Sequence, residues 1–163
     1  MIDAARLALV AVLVFVVDQA TKLAVVEAMN LRELQRIDLF PGFASFQMAW
    51  NRGVNFGLFA SGSDAARWFL TGLAVAVSIA VAIWALRRGT TTFIVGGGLL
   101  IGGALGNALD RVRYGAVADF LNITCCGVRN PYAFNVADVA IFAGALALAL
   151  APSGSGAEAE GRR

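Results

Sequence analysis

The sequence predicts a membrane protein of mainly α class, one domain with four transmembrane helices. Three observations carry this. The 163 residues are 59% hydrophobic and 15% charged, with a mean hydropathy of +0.73, more apolar than a soluble domain needs. Four apolar stretches, residues 7–26, 68–86, 92–109 and 133–151, are each close to the ~20 residues that cross the hydrocarbon as a helix. Beside these stretches lie isolated carboxylates, asparagines and an arginine. They are costly to bury in lipid unless they face each other or a water-filled cavity, so they mark function.

Composition narrows the chemistry. There is no histidine, which excludes Ser-His and Cys-His hydrolases, zinc proteases of the H-E-x-x-H type and histidine-held haem. The net charge of +2 and pI near 8.8 are too mild, and the basic residues too scattered, to argue for nucleic acid. The two cysteines, Cys125 and Cys126, are adjacent. Neighbouring cysteines seldom form a relaxed disulfide with each other and make a weak metal site, so they read as loop bystanders.

The first span, residues 7–26, is interrupted by Asp18 and Lys22. Four residues apart on a helix, these share a face and can pair. A cleaved leader peptide ending near Ala28 is the rival reading, but a leader has no use for that acid and base. Between Met29 and Asp64, Leu31, Leu34, Ile37 and Leu39 recur among charges, as in a short interfacial helix. Phe46, Met48 and Trp50 alternate with Gln47 and Ala49, as in a strand. Asn51 to Phe59 contains Gly53 and Gly57 among aromatics, which suggests a bent strand or flap in close approach to something. Ser61 to Asp64 reads as a turn and helix cap.

Span two carries no charge. Its Trp68 and Trp84, ~24 Å apart along a helix, mark both interfaces. Arg87-Arg88-Gly89 connects it to span three, where Gly98, Gly102 and Gly106 form a small-residue stripe for close helix packing. Asp110-Arg111 ends that span. Residues 112–132 read as a loop with a short strand around 117–123. Span four follows Pro131, and the tail from Pro152 reads as disordered.

Four alternating spans put both termini on one side. They bring Asp18, Lys22, Asn51, Arg67, Asn107, Asp110, Arg111, Asp119, Asn135 and Asp138 towards the opposite face. The arginine distribution does not settle which side is which. With no histidine and no evident metal cluster, acid–base work falls to carboxylates. Two carboxyls in one site share a proton, so one can activate water while the other donates. Asp119 and Asp138 have no adjacent cation and are the better candidates. Asp110 reads as pairing with Arg111 or another cation.

These residues stand in five motifs: Asp18-Gln19-Ala20-Thr21-Lys22; Asn51-Arg52-Gly53 with Phe56-Gly57; Gly106-Asn107-Ala108-Leu109-Asp110-Arg111; Val117-Ala118-Asp119-Phe120; and Phe134-Asn135-Val136-Ala137-Asp138. In this order, on four spans, the chain resembles the lipoprotein signal peptidases, type II, over nearly its whole length. The resemblance implies an aspartyl endopeptidase of the bacterial inner membrane. Its termini would be cytoplasmic and its active site near the periplasmic face, with a small periplasmic sheet and flap. It would need no metal or organic cofactor. The substrate would be a prolipoprotein, met in membrane lipid and cut just before its diacylglyceryl-modified cysteine. Globomycin-type inhibitors would bind. By motif, Asp119 and Asp138 would be the catalytic pair. Asp18, Lys22, Asn51, Gly53, Asn107, Asp110, Arg111, Asn135 and Ala137 would shape or support the site. Ala118 departs from the pattern, being smaller than expected.

Three rivals remain on residues alone. A small proton-coupled transporter also uses intramembrane carboxylates. An assembly protein would use the polar groups to bind partner helices. A Ser-Lys peptidase would need Lys22 with a distant serine such as Ser45.

Overall fold

A computed structural model describes residues 1–53, 64–124 and 130–152. Helix α1 (Ile2–Lys22) runs on through one π-helical segment (Leu23–Ala28) to α2 (Leu31–Leu34). Strands β1 (Arg36–Phe40) and β2 (Ala44–Asn51) follow, then helices α3 (Asp64–Arg88) and α4 (Thr91–Tyr114), strand β3 (Val117–Ile123) and helix α5 (Val136–Leu150).

The glycines of α4 make it the hub of the helical layer. A Cβ on Gly98 would meet Val10 at 2.7 Å, and one on Gly102 would meet the backbone oxygen of Ala11 at 2.5 Å. A Cβ on Gly106 would meet Asp18 Oδ2 at 2.6 Å. The predicted stripe is therefore the groove in which α1 lies, with residue numbers rising together along two parallel helices. A second glycine face takes α5 in the opposite sense: Gly96 faces Ala147 and Gly144, while Gly103 abuts the backbone oxygen of Ala137. Gly97 meets Ala85 of the antiparallel α3 at 3.0 Å. The helices thus alternate in direction along the chain, apart from the four-residue α2. Because α1 is packed into this layer, the leader-peptide reading fails: cutting near Ala28 would remove one wall of the bundle.

Among the described residues, three helices are long and apolar enough to cross a membrane: Ile2–Ala28, Asp64–Arg88 and Thr91–Tyr114. The apolar Val136–Leu150 helix is shorter, 15 residues, or ~22 Å. The expected fourth span over 133–151 therefore begins late. Its first residues are used otherwise, with Phe134 bridging to Leu121 and Asn135 capping the helix. The other predicted spans are longer than expected. In particular, α4 continues through Val112 to Tyr114, where Gly115 at φ +76° ends it.

The sheet has the order β1-β2-β3, antiparallel throughout. The strands expected near 46–50 and 117–123 are present. The segment expected to be interfacial is helical only at Leu31–Leu34. The rest, Arg36–Phe40, is a strand paired with β2, Ile37 opposite Phe46. Its alternating charge and apolarity had the period of a strand. A register irregularity between Phe46 and Ala49 then sets Ala49 opposite Asp119 and Asn51 opposite Val117. Met48, Ala118 and Phe120 pack on Val25, Val26 and Leu31, so the sheet sits on the upper end of α1. Cys125, Cys126, the turn before Asp64, most of the expected flap and nearly all of the tail lie outside the described residues.

Candidate active site

The site forms where α1, α4 and α5 meet beneath β3. At its base is a buried ion cluster. Lys22 Nζ uses its three donors on Asp18 Oδ2 (2.8 Å), Asp110 Oδ2 (2.7 Å) and Asn107 Oδ1 (3.2 Å). Gln19 Nε2 lies 3.1 Å from both Asp18 Oδ2 and Asp110 Oδ1. Both carboxylates are 0% exposed, so their burial is tolerable only because these donors fill them. They also fasten other elements. The Ala137 N–H donates to Asp18 Oδ1 (3.0 Å), and the Ala118 N–H donates to Asp110 Oδ2 (3.1 Å). The cation expected for Asp110 is thus Lys22, and not Arg111. Lys22 has no lone pair or donor left to activate Ser45, so the Ser-Lys reading fails.

Two asparagines carry this order upward. Asn107 Oδ1 accepts from Lys22 and from Asn135 Nδ2 (3.1 Å). Its amide nitrogen must then point the other way, and it donates to Asp138 Oδ1 at 2.9 Å. Asn135 caps α5. Its Oδ1 accepts from the Asp138 N–H (2.8 Å), and Asp138 Oδ2 accepts from the Asn135 N–H (3.2 Å), a reciprocal box. Asn135 Nδ2 also donates to Asp119 Oδ1 at 2.7 Å. One residue thereby holds both acids, Asp119 on β3 through its side chain and Asp138 in the first turn of α5 through its backbone N–H.

Asp138 stands close enough to Asp119 for their charges to act on each other. Asp119 is 4% exposed. Burial, followed by repulsion from Asp138, pushes its carboxyl up to about 7, while Asn51 and Lys22 pull the other way. At neutral pH Asp119 is therefore poised between its two protonation states.

The other expected residues fall at different distances from the acids. Asn51 stands close enough to Asp119 to hold its carboxyl down, and its Oδ1 accepts from the Gly53 N–H at 3.0 Å. Gly53 itself, at φ +100°, faces α3, where a Cβ would meet Leu70 at 2.5 Å. The close approach expected there is to a helix, not to the carboxylates. Arg111 is half-buried and donates to the Asn107 carbonyl (3.3 Å), with its Nε unpartnered among the described residues. Ala137 contributes its backbone, and its Cβ lies 3.7 Å from the place a Cβ on Gly106 would occupy. Ala118 also serves through its N–H, its side chain fully buried. Arg67 instead donates to the Val112 carbonyl. Sequence reasoning missed Gln19, Gly103 and Gly106 as site-forming residues. Gln19 was findable as a third polar residue inside an apolar run.

Known proteins resemble this chain over most of its length. Residues 10–152 match the family described as Signal peptidase (SPase) II. The lipoprotein signal peptidase of Methylobacterium sp. (strain 4-46) is 44% identical over 133 residues, which cover 82% of this chain and 79% of that one. That of Rhodopseudomonas palustris (strain TIE-1) is 40% identical over 145 residues, covering 86% and 87%. A solved structure of a bacterial membrane enzyme superposes with a TM-score of 0.70 at 26% identity, covering 86% of this chain and 88% of that one. None of these matches supports a transporter. The chain belongs to the signal peptidase II family and is a peptidase with apolar helices built for a membrane.

Proposed function

We propose that this protein is the aspartic endopeptidase that removes the signal peptide from diacylglyceryl-modified prolipoproteins, cutting just before the lipidated cysteine, with Asp119 and Asp138 as the catalytic pair. The observation that carries this reading is the meeting of these two acids on separate elements, bridged by Asn135 and close enough for their charges to act on each other. No other pair of carboxylates among the described residues is left free for chemistry in this way, since Asp18 and Asp110 are taken up by Lys22.

The chemistry follows from one proton shared by two acids. Asp119, pushed up to about 7, holds the proton and gives it to the oxygen of the scissile carbonyl. Asp138 takes a proton from a water, whose oxygen attacks the carbonyl carbon. A tetrahedral gem-diol results. Asp138 then passes its proton to the amide nitrogen, the C–N bond breaks, and Asp119 recovers its proton as the new carboxyl forms. Asp18, Lys22, Asn107, Asp110 and Asn135 hold this pair in position. Asn51 steadies Asp119, and Arg111 and Gly53 shape the rim.

The membrane arrangement we propose has α5 as the fourth span, both termini cytoplasmic and the acids near the periplasmic face of the inner membrane. The alternating helix directions support it, as does the depth of the site. Asn107 lies about two turns, or ~10 Å, below the end of α4. The short α5 starts at that same level, leaving a recess at a depth that a lipid-anchored cysteine reaches by lateral diffusion. Globomycin-type lipopeptides would compete for the recess.

The test is cleavage of a diacylglyceryl-modified prolipoprotein by the purified chain in lipid. Wild type should cut before the modified cysteine. Asp119→Asn and Asp138→Asn should fold and lose at least ~10²-fold in rate, the low end of what a positioned acid or base contributes. Folded variants that still cut would overturn the pair.

A further inference from the structure

A second feature lies outside the acid pair, at the tips of α1 and α4. The guanidinium carbon of Arg32 sits 5.4 Å from the Trp50 ring and 5.5 Å from the Tyr114 ring, and the two rings are 5.4 Å apart. Arg113 approaches Tyr114 at 5.1 Å. A cavity of about 310 Å³ opens here, lined by Arg32, Trp50, Arg52, Tyr114 and Ala116. One acid faces it: Glu27 pairs with Arg32 at 3.6 Å and accepts from the Tyr114 hydroxyl at 3.4 Å. Arg52 and Arg113 have no carboxylate partner among the described residues. Two guanidiniums, Arg32 and Arg52, therefore line the hollow, a third stacks on Tyr114, and a single carboxylate stands beside them; the excess positive charge calls for an anion.

We propose that this pocket binds the phosphodiester headgroup of an anionic phospholipid. Guanidinium forks match phosphate oxygens in pairs, and stacking on Trp50 and Tyr114 fixes one fork in advance. The occupant is a lipid because of where the pocket lies. Tyr114 is the last residue of α4, and Glu27 is in the last turn of the α1 extension, so the pocket opens at the membrane boundary, where tryptophan and tyrosine favour headgroup level. Below Glu27 on the same helix, Leu23 and Val16 are 60% and 54% exposed. They form an outward apolar strip along which acyl chains can lie. A free phosphate would use only the headgroup half of this arrangement. The site begins three residues along the chain from Asp119, at Ala116, yet shares no side chain with the acid pair. Its occupancy is independent of the catalytic assignment.

The test uses the full chain purified in neutral detergent, with bound lipid read by native mass spectrometry. Equal amounts of phosphatidylglycerol and phosphatidylcholine are offered. Wild type should retain one phosphatidylglycerol in preference to phosphatidylcholine. Arg32→Gln and Arg52→Gln should each weaken retention ~5-fold, the effect of removing one basic residue near anionic lipid. Arg32→Lys should lose less than Arg32→Gln. Thermal unfolding checks that each variant is folded. If a variant does not fold, raised salt on wild type serves instead and should release the lipid, since the attraction is screened. Millimolar inorganic phosphate should not displace it. Equal retention of the two lipids, salt-insensitive retention, unchanged retention in folded variants, or displacement by inorganic phosphate would each overturn the proposal.

Discussion

In the proposed mechanism Lys22 governs chemistry it does not perform. Its ammonium pairs with both Asp18 and Asp110 and, by donating to Asn107 Oδ1, turns the amide nitrogen of Asn107 towards Asp138. Lys22→Met should therefore cost ~3–5 kcal/mol of stability, because two buried carboxylates lose their cation. It should abolish cleavage as well. Thermal unfolding and a cleavage assay measure the two effects. Asp119 makes the opposite prediction for stability. Its folded-state carboxyl binds a proton up to about 7, against an ordinary 3.8. The folded state thus holds more protons than the unfolded chain between those values, and wild-type stability falls as pH rises through them. A carboxamide in place of this carboxyl has nothing to ionise. Asp119→Asn should accordingly raise the melting temperature over wild type by more at pH 8 than at pH 5. A constant difference would refute the burial of Asp119. In the wild type, cleavage should decline as pH rises above about 7, because the shared proton is lost, and a pH–rate profile would show it.

At the scale of elements, α4 sets the positions of the acids through its glycines. The helices around it approach so closely that a single methyl group has nowhere to go at Gly102 or Gly103, where backbone oxygens stand at 2.5 Å. Gly102→Ala and Gly103→Ala should each destabilise by ~1–3 kcal/mol, the ordinary cost of overpacking. Gly72 of α3 has nothing within 4 Å of a built Cβ. Gly72→Ala should be neutral or stabilising by up to ~1 kcal/mol through helix propensity alone. Melting curves of the three variants separate close packing from a general effect of losing glycine. The same contacts explain the site: α4 holds α1 on one face and α5 on another, and only this spacing lets Lys22, Asn107 and Asp138 connect in series.

At the scale of the whole molecule, the prediction concerns sidedness. In the alternating arrangement, Thr90 between α3 and α4 lies at the opposite end of the bundle from Asp38 on β1. With Cys125 and Cys126 replaced, Thr90→Cys should react with a membrane-impermeant thiol reagent only from the cytoplasmic side, and Asp38→Cys only from the periplasmic side. Labelling of both from one side would break the four-span topology. A helix as short as α5 bears on this directly, because its late start keeps Asp138 half-buried beside Asn107.

Much of this was legible in the chain, because the cost of burying polar groups in an apolar run leaves a local mark. Hydropathy located the helices, and Asp18, Lys22, Asn107, Asp110, Asp119, Asn135 and Asp138 stood out wherever they interrupted it. The glycine stripe announced a close helix neighbour. Local pattern did not say which neighbour, nor that Asp110 would choose Lys22 over the adjacent Arg111. It did not show that Gln19 would serve two carboxylates, or that Gly53 would face α3. It read β1 as interfacial and gave α5 an early start, since pairing with β2 and the Asn135 cap are decided by partners distant in sequence. The types of residue that had to meet were determined by composition and order. Their partners were decided by tertiary structure, because a buried charge takes whatever donor the packing of helices brings within about 3 Å.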